Sequence, residues 1–304
     1  MIGRLVVKRA APCLRATRGL SLLQPVRACL PLTRSYSGRV ESNDQTETNR
    51  AEKTLEKFWE KVTVKPDEGA FTVCLDTKPI KTPKGNTLTV PQATLAHLIH
   101  QEWSVITGNK ILPHSLPMTS LVARAIDIAD DQPERIRIIS HLLPYLDTDT
   151  MLILSPDSEC EGNLRKAQDK LYPEVKLMAE LFWGTKLSSL DGNVALYGNV
   201  QSDETKGIVT KWMESLDHWQ LAALERTTII AKSLLAGMLT ITHKRSVDQI
   251  SDLVNLEAIH QTELWGEVED THDVNHVDMR RFIGSAYLLA AASPKPMDKV
   301  QLGL

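Results

Sequence analysis

Residues 62–103, with the sequence VTVKPDEGAFTVCLDTKPIKTPKGNTLTVPQATLAHLIHQEW, decide the fold because the spacing of their apolar residues changes near residue 91. Up to residue 90 the apolar residues alternate with polar ones, as they do in half-buried strands. Turn residues such as Pro66, Gly69 and Gly85 separate these runs. From Pro91 onward apolar residues recur every three or four positions, which is the period of a helix. The stretch therefore predicts a small antiparallel sheet of hairpins followed by a helix.

Helical spacing continues to the end of the chain. A helix is predicted over 118–129, and a domain boundary is expected where Pro133 stops the pattern. Beyond it we predict about six helices, with one of them bent or broken at Pro173 and a short extended piece between Gly192 and Gly198. The main predicted helical segments are 163–183, 203–219, 220–242, 246–264 and 275–292. The predicted fold class is α+β, with a small β-containing N-terminal domain (51–132) and an all-α C-terminal domain (133–304).

The first 36 residues have the composition of a mitochondrial presequence. They contain seven basic residues and no acidic one. Arginines interrupt every apolar run that could form the hydrophobic core of a secretory signal peptide. Arg34 lies three residues before a predicted cleavage site after Tyr36. We therefore predict a presequence over 1–36 and a mature protein in the mitochondrial matrix, and the polar residues 37–50 predict a disordered lead-in.

The rest of the chain is acidic. Of the 35 basic and 38 acidic residues, 28 basic and all 38 acidic ones lie after residue 36, which gives this part a net charge of −10. Such a charge argues against a nucleic-acid-binding protein. No run of about 20 uncharged apolar residues predicts a membrane span, and the four cysteines contain no C-x-x-C pair that would indicate a disulfide framework.

No catalytic constellation stands out. The phosphate-binding loop, the dinucleotide-binding glycine motif and the nucleophile elbow are all missing. Residues 272–276 (HDVNH) resemble a zinc-binding H-E-x-x-H, but the aspartate is a methylene shorter than the glutamate that acts as a base. We instead expect Thr271 or Asp273 to cap a helix there. Neither a metal site, nor a cofactor, nor a small-molecule substrate is predicted.

Glu225 is a charged residue in an apolar segment, so its carboxylate is expected to pair with a basic side chain. Glu225 lies in the sequence LAALERTTIIAKSLLAGML, and Lys232, seven residues later, is on roughly the same helix face. The spacing favours a structural ion pair between the two side chains.

Residues 256–273, LEAIHQTELWGEVEDTHD, resemble the Atp12 family. The matching features are a Leu-Glu pair, a glutamine, Trp-Gly, an acidic loop and His-Asp. Other motifs agree in the same order, and together the matches span about residues 54 to 275. These are Phe58-Trp59, Val73 with Leu75-Asp76, Ile80-Lys81-Thr82-Pro83, Glu102-Trp103, Met118-Thr119, Ala125-Ile126-Asp127, and Leu146 with Thr148-Asp149-Thr150.

The resemblance implies a chaperone and not an enzyme. Members of the family hold the α subunit of the mitochondrial F1-ATPase until the β subunit replaces it, so the implied partner is unassembled F1 α, bound transiently. The family fold, a small β-containing domain followed by a helical one, agrees with the spacing. The resemblance also implies that the glutamate of the Leu-Glu pair, here Glu257, is important for function.

The predicted partner-binding residues belong to this acidic segment. They are Glu257, Trp265, Gly266, Glu267 and Asp273. Glu257 could contact a basic partner surface, or it could brace Trp265 within the helical domain, and the sequence leaves both open. A structural subunit of the ATP synthase and a matrix hydrolase using His272 are the alternative functions.

Overall fold

The computed structural model describes residues 56–67, 69–195 and 197–294, all of which belong to one unit, Thr46–Leu304. The predicted presequence (1–36) and lead-in (37–50) lie outside the described residues. Within the described ranges no helix is long and apolar enough to cross a membrane.

The sheet is antiparallel, as predicted. Strand β1 (Val62–Asp67) pairs along its whole length with β2 (Ala70–Leu75), so that Val64 lies opposite Val73. The other edge of β2 pairs with two short strands, β3 (Lys78–Pro79) and β4 (Thr89–Val90). Helix α1 (Ala93–Ser104) packs across β1 and β2 and buries Leu95, Ala96 and Ile99.

The rest of the described chain is mainly helical, which confirms the predicted α+β class. The helices are α2 (Pro117–Ile128), α3 (Gln132–Leu142), α4 (Asn163–Trp183), α5 (Asp203–Ser215), α6 (His218–Ala231), α7 (Leu234–Thr242), α8 (Val247–Val254), α9 (Leu256–Trp265) and α10 (His272–Ala291). Short 3-10 helices occupy Pro113–Ser115 and Leu143–Leu146, and Glu159–Gly162 forms a turn with Cys160 and Glu161 in the left-handed region.

Two predicted helices are each divided in two. The segment 220–242 breaks because Lys232 adopts a left-handed conformation (φ 51°) and Ser233 caps the next helix by accepting from the Ala236 N–H. The segment 246–264 divides at Asn255, between α8 and α9. The prediction of about six helices was therefore too low, since eight helices begin at or after Gln132 in the described ranges.

Three smaller predictions need correction. Helix α4 continues through Pro173, so the predicted break is absent and the predicted bend there stays a prediction. Of the predicted extended piece between Gly192 and Gly198, the described residues 192–195 and 197–198 form no strand, and Val194 and Tyr197 are exposed. The extended residues instead form a short parallel pair, β5 (Ile153–Leu154) with β6 (Leu190–Asp191), which the uniform helical spacing had concealed.

Helix α6 lies at the centre of the helical packing. It contacts α2, α7 and α10, and most of its residues are buried. Helix α7 is buried at all nine positions. Large aromatic side chains fill the neighbouring core, where the rings of Trp183 and Trp212 meet at 5.4 Å between centroids.

The predicted boundary near residue 132 is crossed by an ion-pair network. Arg124 on α2 makes a bidentate pair with Glu225 on α6, at 2.9 and 2.8 Å, and also contacts Glu134 on α3. The expected pair of Glu225 with Lys232 was therefore wrong, because the arginine on α2 reaches the carboxylate and the helix ends before Lys232. The division into domains at 132 and 133 stays a prediction.

Three buried or half-buried carboxylates tie separate segments together. Glu102 on α1 accepts hydrogen bonds from the Met118 and Thr119 N–H groups, at 2.7 and 2.8 Å, and so caps α2. Asp127 on α2 accepts from the Thr82 hydroxyl at 2.5 Å and from the Asn86 side chain at 2.9 Å.

The third carboxylate, that of Asp149, is fully buried. It accepts from the Ser233 hydroxyl (2.7 Å), the Leu235 N–H (2.9 Å) and the Met151 N–H (3.0 Å), and so caps α7. Burial raises the pKa of Asp149 to about 6, although these three hydrogen bonds favour its charged form.

We expect Asp149→Asn to remove a specific pH dependence of stability. The folded state holds the Asp149 proton more tightly than the unfolded chain, whose pKa is about 4. Its contribution to the free energy of unfolding is therefore full below pH of about 4 and is lost as the pH rises through about 6. Urea denaturation of wild type and variant between pH 4 and 8 measures the difference.

At pH 7 Asp149→Ala should lower the free energy of unfolding by on the order of 3 kcal/mol, because it leaves buried donors without an acceptor.

For Asp149→Asn, a difference from wild type in the free energy of unfolding that does not change between pH 4 and 8 would contradict the assignment.

Candidate functional site

Helix α9 and the start of α10 form an exposed surface that is both apolar and acidic. Only Leu256 of α9 is buried, and the chain from 263 to 271 is exposed throughout. We call residues 263–277 the acidic apolar surface. Its exposed apolar side chains are Leu264, Trp265, Val268, Val274 and Val277, and its acidic residues before Asp278 are Glu263, Glu267, Glu269, Asp270 and Asp273.

Trp265 is the largest exposed group of this surface. Its side chain is 71% exposed, in contrast to Trp183, Trp212 and Trp219, which are all buried. An exposed tryptophan beside four exposed aliphatic side chains is typical of a surface that binds another protein.

Glu257 lies in the first turn of α9 with its side chain exposed. Its carboxylate accepts a hydrogen bond from the Gln261 side chain at 2.8 Å. It also borders a cleft of about 320 Å³ whose wall includes Tyr172. Because Trp265 is exposed and the Glu257 carboxylate pairs with Gln261 one turn along α9, these contacts argue against a brace for Trp265.

Gly266 ends α9 and sets the course of the following loop. Its backbone (φ 87°, ψ 161°) is in a region that L-residues enter only with strain. Two residues later the Val268 N–H donates to Nδ1 of His272 at 3.0 Å, and the Val268 carbonyl accepts from the His272 N–H at 3.1 Å. The loop is therefore anchored to the start of α10.

Glu267 and Asp273 belong to the same surface but have different neighbours. Glu267 lines a pocket of about 200 Å³ together with His272 and His276, whereas Asp273 is exposed in the first turn of α10. Thr271 occupies the N-cap position of α10, but its side chain makes no capping hydrogen bond. A carboxylate in the first turn interacts favourably with the helix dipole, so Asp273 has the stabilising position.

The other residues that could bind a metal or act as a nucleophile are not arranged for either role in the described part of the chain. Among the described residues no group of three or more His, Cys, Asp or Glu side chains has an arrangement that would hold a metal ion. Cys74 is buried, and burial together with the charges of Glu159 and Glu257 raises the pKa of the Cys160 thiol. A raised thiol pKa disfavours the reactive thiolate.

Trp265, Gly266 and Glu267 are consecutive and exposed at the end of α9, and Asp273 is exposed in the first turn of α10. Glu257 lies at the other end of α9. Sequence reasoning missed the aliphatic residues of this surface, among them Leu264, Val274 and Val277. Their signal is an apolar residue in a segment dense in carboxylates, but helical spacing alone does not distinguish an exposed face from a buried one.

Comparison with known proteins gives concordant results. Residues 56–180 match the family model described as "ATP12 chaperone protein". The chain is 40% identical to Protein ATP12, mitochondrial, of Saccharomyces cerevisiae, over 92% of this chain and 98% of the relative. It is 34% identical to Protein atp12, mitochondrial, of Schizosaccharomyces pombe, over 81% and 86% of the two chains.

A solved structure has the same fold. The crystal structure of Atp12 from Paracoccus denitrificans superposes with a TM-score of 0.66 at 22% identity, covering 78% of this chain and 98% of that one.

We expect Gly266→Ala to destabilise the protein by about 1–3 kcal/mol, because alanine is strained at this backbone conformation. Gly207→Ala is the matched control. Gly207 lies in the interior of α5 with open space around it, so alanine there should stabilise by roughly 0.5–1 kcal/mol. Urea denaturation measures both, and equal stability of the two variants would show that the turn does not depend on glycine.

Proposed function

Because the chain belongs to the ATP12 chaperone family, we propose that it is an assembly chaperone of the mitochondrial F1-ATPase that binds the unassembled α subunit. The family is one of chaperones and not of enzymes, which sets the hydrolase alternative aside. Its relatives in both yeasts are named mitochondrial proteins, so the chain is assigned to mitochondria, and we place it in the matrix.

The acidic apolar surface is the observation that supports this proposal. Before assembly, the α subunit exposes an interface that the β subunit will later cover, and such apolar surface invites aggregation. Leu264, Trp265, Val268, Val274 and Val277 offer a matching apolar contact. They lie at the end of α9, in the loop and in the first turns of α10, and the loop is held to α10 by the Val268–His272 hydrogen bonds.

The carboxylates on the same surface suit a reversible complex. Exposed charges attract a partner of opposite sign and repel one of like sign, and salt weakens both effects, so the attraction is readily reversed. In this proposal the acidic side chains, with Glu257 on the same helix, meet basic residues on the α subunit. The β subunit then displaces the chaperone by covering the same α interface.

The first experiment is co-expression of the F1 α subunit with and without the full chain. Soluble α in a one-to-one complex, released when β is added, is the expected result. Aggregated α in both cases, with no complex, would refute the proposed function. Presence of the chain in the finished ATP synthase at fixed stoichiometry would favour the structural-subunit alternative.

We expect Glu257→Lys to weaken binding of α by about tenfold or more, because reversal of a contact charge changes attraction into repulsion. Thermal stability should fall only slightly, because the variant loses the Gln261 hydrogen bond and a favourable helix-dipole interaction of about 0.3–1 kcal/mol at an exposed site. Titration calorimetry and thermal denaturation measure the two effects.

Glu214→Lys on α5 is the control, because Glu214 is exposed and the substitution makes the same change in net charge. Equal affinities of the two variants for α would exclude a local role for Glu257. A large loss of stability in Glu257→Lys would instead identify the residue as a brace of the fold.

A further inference from the structure

A wide groove separates α1 from the C-terminal half of α10. Its volume is about 1000 Å³, which makes it larger than the cleft beside Glu257 and the pocket beside His272. We call it the α1–α10 groove. Its apolar wall includes Leu98, Val105, Ile106, Leu112, Met118 and Leu288.

Several of these apolar side chains are exposed. Val105 is 58% exposed, Leu288 44% and Leu112 42%, and all three face a groove that no described residue fills. Exposed apolar groups that line one concave surface have a larger cost in water than scattered ones, and such surfaces mark binding grooves.

Gly284 forms part of the groove wall although the fold has no steric need for a glycine there. It lies in the interior of α10, where glycine costs a helix roughly 1 kcal/mol relative to alanine. A Cβ atom at this position would meet only Val247 Cγ1, at 3.8 Å, which is ordinary contact. Because glycine has no side chain, another chain can approach the backbone of α10 closely at this position.

The rim of the groove is basic. Lys110, Arg280 and Arg281 all line it, and Arg280 and Arg281 keep 49% and 35% of their side-chain surface exposed beside their own carboxylate partners, Asp248 and Asp278. Glu102 also lines the groove, with its carboxylate bound to N–H groups at the start of α2, so three cationic side chains and one carboxylate line it. A segment that enters this groove would be favoured by acidic side chains.

One face of α10 joins the groove to the acidic apolar surface. Val277, Arg281, Gly284 and Leu288 are spaced at i, i+4, i+7 and i+11, so they lie on the same side of the helix. Val277 belongs to the acidic apolar surface, and the other three line the groove. The exposed stripe of α10 therefore runs from an acidic end to a basic end.

We propose that the α1–α10 groove is a second contact surface for the unassembled F1 α subunit. The α subunit would place an apolar segment with acidic side chains in the groove. This inference rests on the proposed function. Opposite charges at the two ends of α10 then allow only one orientation of the partner, because a reversed complex would bring like charges together.

The test is titration of purified F1 α with the full chain carrying Gly284→Leu, which adds a large side chain at a residue that lines the groove. We expect affinity to fall by about tenfold or more, the effect of losing one well-packed contact. Gly207→Leu is the matched control, because Gly207 also lies inside a helix with open space around it and does not line the groove. Both variants should remain folded, as thermal denaturation would show.

A second pair of variants tests the charge of the occupant. Lys110→Glu should weaken α binding, whereas Lys211→Glu, an equal change in net charge on the exposed side of α5, should leave it near the wild-type value. This pair keeps the inference testable if Gly284→Leu fails to fold.

The outcomes separate the two proposals. If wild type binds α and the groove variants bind equally well, the groove inference is wrong and the proposed function stands. If wild type does not bind α, both fail together. If the groove variants alter self-association in sedimentation and leave α binding unchanged, the occupant is a second copy of the chain, and the inference is overturned.

Discussion

The buried carboxylate of Asp149, which follows the 3-10 helix Leu143–Leu146, binds the start of α7, a helix buried at every position. It accepts three hydrogen bonds, two of them from Ser233 and Leu235 at the beginning of α7. Because α7 is buried along its whole length, its first N–H groups cannot be satisfied by water and must find an acceptor inside the protein. Without this acceptor the packing of α6, α7 and α10 would begin from a helix end with unpaired donors.

Glu102 and Asp127 are two further carboxylates that satisfy donors of another segment, in the part of the chain before residue 132. Glu102 caps α2, and Asp127 holds the turn around Thr82. These residues belong to motifs through which the sequence resembles its family, so much of that resemblance reflects the fold. Glu257 has different surroundings, since its side chain is exposed and its recorded hydrogen bond is to Gln261.

Helix α10 relates the fold to the proposed function. Its buried face packs on α2, α6, α7 and α8, which fixes the helix firmly in the core. Its exposed face carries Val277, Arg281 and Leu288 across two surfaces of opposite charge. A chaperone with a rigid binding element loses little conformational entropy on binding and can still release its partner, because the contacts combine apolar area with screened charge.

The sequence alone determined the fold class, the antiparallel hairpin, most helix positions and the acidic segment, because each depends on local spacing, turn residues or composition. Long-range contacts decided the rest. The pairing of Glu225 with Arg124 and the β5–β6 pair join residues whose separation in the chain gives no periodic signal. The division of 220–242 at Lys232 is supported by the distant Asp149, which accepts from Ser233 and Leu235. Only the tertiary structure shows that Trp265 is exposed while Trp212 is buried, and that α1 and α10 leave a groove between them, since helical spacing does not tell which face of a helix will find a neighbour.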